Sequence, residues 1–111
     1  MSDRTPDAVL SEIHAFRNAL LNRAPEELET AELRSDRAAD AARLAEDKAL
    51  LTAEGSVDEK KAQARLASAG LRDEAFIAKA SHTRVKAKVD GIKTAIMAAQ
   101  SELKHMREEG A

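Results

Sequence analysis

The chain has 111 residues, a formal net charge of −2, 34% charged residues and two aromatic side chains, Phe16 and Phe76. Val, Leu, Ile and Phe together make about a fifth of it, near the level at which chains remain disordered, so a thick globular core is excluded. Cysteine is absent, which excludes disulfides and thiol chemistry, and no apolar run approaches the ~20 residues that a membrane helix needs. What this composition allows is a thin helical module, because alanine is abundant, favours helix and lets two helices approach closely.

The first predicted helix covers about 6–23. Thr5 can accept a hydrogen bond at its N-cap, Pro6 fits the first helical position, and Asp7 suits the positive end of the helix dipole. Val9, Leu10, Ile13, Phe16, Leu20 and Leu21 follow at helical spacing, a stripe that either covers one end of a bundle or binds a partner. Met1-Ser2-Asp3-Arg4 carries no signal-peptide apolar core, so the expected compartment is the cytoplasm. Pro25 then interrupts, since it has no amide hydrogen and restricts Ala24. The expected organisation is an N-terminal helix in 1–24 and a helical hairpin module in 25–111.

A second helix is predicted over about 25–54, with two overlapping faces. One is small: Ala31, Ser35, Ala38, Ala42, Ala45 and Ala49. The other carries Leu33, Ala41, Leu44 and Leu51, interrupted by Arg37 and Lys48. Glu54-Gly55-Ser56 ends this helix and opens the next, Ser56 and Glu59 having the spacing of a capping box. A short helix over about 57–67, with Lys60 and Lys61 in its first turn, leads to Ser68-Ala69-Gly70, where a break or bend is expected before a long helix over about 71–108. The heptad phase would also tolerate a continuous helix there.

That long helix carries the clearest signal in the chain. Leu71, Ala75, Ala78, His82, Val85, Val89, Ile92, Ile96, Ala99, Leu103 and Met106 alternate steps of four and three without a slip, the pattern of a coiled-coil seam. A soluble helix cannot bury such an edge alone, so Val85, Val89, Ile92, Ile96 and Leu103 are expected to pair with a neighbour. The second helix is the obvious one within the chain. His82 is a polar residue in the seam, as residues that fix register often are.

With Ala75 and Val89 at a positions, the flanking e row reads Arg72, Lys79, Lys86, Lys93, Gln100 and Arg107. A basic row beside a seam selects an acidic neighbour. Residues 1–59 hold 14 acids and 7 bases, a charge of −7, whereas residues 60–111 hold 6 acids and 11 bases, a charge of +5. Two halves of opposite sign suggest that they lie side by side. The same row admits direct nucleic-acid binding, against which stand the acidic total and the missing stacking platform.

No catalytic grouping is present: there is no phosphate loop, nucleophile elbow, metalloprotease motif or cysteine nucleophile. No cofactor is implied. Glu102, His105 and Glu109 share a helix face, but such clusters are ordinarily surface charge, so no metal site is expected.

The run Leu51-Thr52-Ala53-Glu54-Gly55-Ser56-Val57-Asp58-Glu59-Lys60-Lys61-Ala62-Gln63-Ala64, followed by a long charged helix, resembles a pattern in small helical proteins of tailed bacteriophages, whose genes often sit among recombination and single-strand-binding functions. Lys60 stands where that pattern often has arginine. The resemblance implies an accessory role in phage DNA metabolism, with a single-strand-binding protein or a recombinase as partner, and no chemistry of its own. The expectation is therefore an all-α, coiled-coil-like antiparallel hairpin with an added N-terminal helix, acting as a non-enzymatic adaptor or modulator of another protein. Ile77 and Met97, apolar but off the seam, point to a homodimer or small oligomer. A virion structural component is a further reading.

Overall fold

The computed structural model describes residues 4–110, and among these residues the chain is all-α, with no strand. Three helices follow in order: α1 Pro6–Asn22, α2 Ala24–Thr52 and α3 Val57–Gly110. No helix among the described residues is long and apolar enough to cross a membrane.

The start of α1 is capped as its sequence dictates. Thr5 is extended, its hydroxyl accepts the Ala8 N–H at 3.2 Å, and Pro6 takes the first turn, where an amide donor would have no carbonyl to reach. Only Arg23 separates α1 from α2. Its N–H donates to the Ala19 carbonyl at 3.1 Å, and its own carbonyl accepts from Glu27 at 3.0 Å. Pro25 has no donor for the carbonyl four residues back, so the ladder is broken there and resumes at once.

The α2–α3 junction is fixed by backbone geometry and by hydrogen bonds. Gly55 has φ +114°, a conformation that side-chain-bearing residues rarely adopt, and a Cβ there would run into the Glu59 carboxylate. The Ser56 hydroxyl accepts the Glu59 N–H at 3.2 Å, and Gln63 Nε2 donates to the Glu54 carbonyl at 2.9 Å. Before the turn, the Thr52 hydroxyl donates back to the Lys48 and Ala49 carbonyls.

The break expected at Ser68-Ala69-Gly70 does not occur. α3 runs through it as one helix of 54 residues. Ser68 is fully buried, and its hydroxyl donates to the Ala64 carbonyl at 2.8 Å, so it packs with its polar atom already satisfied by its own helix. Gly70 has open space where a Cβ would stand, so neither packing nor backbone conformation requires glycine there.

Two compact units divide the chain. One holds residues 29–84, which are most of α2, the turn and the first half of α3, and it is a helical hairpin. The other joins 4–28, which are α1 and the first turn of α2, with 85–110 of α3. In this second unit Val9, Ile13, Ala99 and Leu103 form a buried cluster with Leu10 and Met106 packed against it. Arg4 pairs with Glu12 on its own side and reaches Glu102 of α3 at 3.1 Å.

Candidate interaction surfaces

The alternation of four and three reaches further than the stretch in which it is most apolar. Ala64 and Ser68 continue it upstream of Leu71, and every position from Ala64 to Met106 in this register is buried or half-buried. Among the paired residues, Val89, Ile96 and Leu103 are buried, and Val85 and Ile92 half-buried. All five belong to the unit that contains α1. Ala19 and Ala24 line one groove with Val89 and Ile92, while Leu103 packs with Val9 and Ile13. The expectation that the second helix covers the seam throughout is therefore corrected. α1 and the first turn of α2 cover its C-terminal half, with Ala19 and Ala24 beside Val89 and Ile92 and with Val9 and Ile13 against Ala99 and Leu103.

In the hairpin unit the pairing is different in kind. Of the two faces on α2, the small one is turned inward: Ala42 is buried, and Ala31, Ser35, Ala38, Ala45 and Ala49 are half-buried. Leu33, Leu44 and Leu51 are exposed. Opposite lie Ala64, Ser68, Leu71, Ala75, Ala78 and His82 of α3, buried or half-buried. Apart from Leu71 and His82 of α3, both ridges are made of alanine and serine, which lets the helix axes approach.

The result is a hairpin whose large apolar side chains point outward. Leu51 is 85% exposed, Leu66 80% and Phe76 75%, with Leu44 and Ile77 also exposed. Leu66 is an f residue on the outer face of α3, and the others fall on two sides. With Leu28, Ser35, Ala42 and Ala49 of α2 at a positions, Arg34 of α2 and Glu74 of α3 are both g residues, and they line one open groove with Ala38, Ile77, Ala78 and Ser81. Leu44 and Leu51 share the c row of α2, which borders that same side. Phe76 lies on the other side, beside the e row.

That e row is solvent-facing. Arg72, Lys79, Lys86 and Lys93 are exposed, and among the described residues none of them forms an ion pair. Arg72 folds back along α3, its Nη2 donating to the Arg65 carbonyl at 2.8 Å. The ion pair that joins two helices through α2 comes from the opposite edge, Lys88 Nζ to Glu27 Oε2 at 3.6 Å.

At the junction, Gly55 and Ser56 set the turn through the geometry above, the Glu54 carbonyl anchors it, Lys60 is half-buried and Lys61 exposed. His105 Nε2 lies 3.1 Å from the Glu109 carboxylate on the exposed surface. Among the described residues no group of three or more His, Asp and Glu side chains is arranged to hold a metal ion.

Comparison with known protein families, curated proteins and solved structures finds no match for this chain. The signal that sequence reasoning underused is the upstream extension of the heptad phase to Ala64. With Ser68 counted as a small seam residue and not as a breaker, the continuous helix follows.

Proposed function

We propose that the chain is a non-enzymatic helical interaction module, an adaptor or modulator that acts on another protein. One observation carries this reading: Leu44, Leu51 and Ile77 are exposed on one side of a hairpin closed mainly by alanine and serine. Folding leaves more than half of each of these residues in water, whereas an amphipathic partner segment laid along that side would bury them. Arg34 and Glu74 at the rim of the groove offer both charges to orient it.

The resemblance of residues 51–64 to phage accessory proteins supports a role in DNA replication or recombination, in the host cytoplasm. The partner it suggests is a single-strand-binding protein or a recombinase. Exposed Ile77 and Met97 support self-association as well. The test is capture by the purified chain of purified single-strand-binding protein and purified recombinase, with Leu44→Glu and Ile77→Glu as controls that remove the apolar side. Capture lost in these variants supports the reading, and recovery of neither protein by the unaltered chain removes the recombination version.

A second reading has its own observation, the exposed and unpaired row of Lys79, Lys86 and Lys93. A phosphate backbone would satisfy it, and binding of an oligonucleotide would then fall steeply as salt rises.

A further inference from the structure

We propose that the other side of the hairpin, the one bearing Phe76, is a self-complementary face that takes a second copy of this chain. This deepens the self-association in the reading above by naming the face and the geometry, and does not depend on the partner side.

Two stripes border that face. On α3, Arg72, Phe76 and Lys79 follow at steps of four and three, so they form one exposed ridge. On α2, Glu32, Asp36 and Ala39 follow with the same steps, all exposed, and Glu46 continues the row one heptad on. One edge of the face is thus basic and the other acidic. The one base on the acidic stripe, Arg43, is already within 3.6 Å of Asp40.

An edge-to-edge split of this kind selects both the occupant and its orientation. A two-fold axis parallel to the helices sets the acidic stripe of each copy against the basic stripe of the other. A two-fold axis across the helices sets like against like, which costs energy. The parallel axis also preserves height along the hairpin. Ala38 stands beside Ala78 in one groove, which puts Phe76 level with Ala39 and Lys79 level with Asp36. In the dimer, each Phe76 ring meets an alanine of the partner copy, a large side chain over a small one, with Lys79 and Asp36 closing beside it. The product is a four-helix bundle in which each α3 is flanked by one α2 from its own chain and one from the other copy.

The experiment is light scattering and sedimentation of the full chain over a concentration series, with helicity followed by circular dichroism. The expected result is a shift from 12.0 kDa to twice that mass at low salt, weakened at least tenfold by 0.5 M salt because the contacts are charged and exposed. Lys79→Glu gives a monomer, as does Glu32→Lys with Asp36→Lys; Arg72 is left unchanged because the same register sets it level with Arg43. An equimolar mixture of these two variants recovers the dimer, since each then offers the charge that the other needs. Phe76→Ser, at an exposed position that folding does not use, weakens association at least tenfold.

A native chain that stays monomeric throughout overturns the proposal and self-association with it. So does a monomer that binds an oligonucleotide through the basic ridge. A dimer indifferent to both charge variants and to Phe76→Ser overturns this face alone and gives self-association to the Ile77 side.

Discussion

Lys88 Nζ lies 3.6 Å from Glu27 Oε2, tying the first turn of α2 to α3 across the edge opposite the basic row. Their side chains are 66% and 46% exposed, so water screens the pair and it adds little to stability. Lys88→Ala is expected to cost no more than ~0.5 kcal/mol in urea unfolding. A loss several times larger would show that the lysine stem, not its charge, packs on α2.

The cluster around Leu103 behaves differently. Leu103 is buried with Val9, Ile13 and Ala99, and it is the larger of the two side chains that α3 contributes to that set. Leu103→Ala removes apolar contact and leaves a void, with an expected cost of ~2–3 kcal/mol, near the low end for buried leucines because the unit is thin. Calorimetry or denaturant unfolding reads this directly. A cost below ~1 kcal/mol would mean that α1 does not hold the C-terminal part of α3.

Gly70 tests the continuity of α3. It sits in the helix with nothing near the place of a Cβ, so Gly70→Ala gains the helix propensity of alanine at no steric cost, up to ~1 kcal/mol. If the chain bent at 68–70, as the Ser-Ala-Gly run invites, alanine would bring no gain or a loss. Thermal unfolding of the variant and the parent distinguishes the two.

The parts of the fold that were legible in the sequence are those set by periodicity and capping. The all-α hairpin, the Thr5-Pro6 start, the Gly55 turn and the stripe from Leu71 to Met106 all follow from local rules. Two features escaped for physical reasons. Ser68 reads as a breaker by composition, yet a serine whose hydroxyl bonds the carbonyl four residues back is a small seam residue. The choice between the two faces of α2 depends on what lies opposite, which no local pattern contains. Leucine is the more apolar residue, but four of the six seam residues on the hairpin half of α3 are alanine or serine, so close approach favours the alanines. Ile77 stands out in the sequence as an apolar residue off the seam, but which α2 residues share a side with it, and which with Phe76, becomes visible only once that choice is known.

The turn offers a separate check. At φ +114°, Gly55 occupies a conformation that alanine adopts only with strain, and its Cβ would also displace the Glu59 carboxylate. Gly55→Ala is expected to cost ~1–2 kcal/mol, whereas alanine at Gly70 is favourable. Equal effects at the two glycines, read by denaturant unfolding, would contradict the turn geometry.

The central claim is that mostly small residues close the hairpin while most of the large apolar ones face outward, and two adjacent residues test it most directly. Ala78 is buried in the seam, and Ile77 is 64% exposed beside it. In denaturant unfolding of the two single variants, Ala78→Leu is expected to destabilise by ~1–3 kcal/mol through overpacking, and Ile77→Ala by less than ~0.5 kcal/mol, as for an exposed position. The reverse order, with loss of the isoleucine more damaging than the added leucine, would contradict the account.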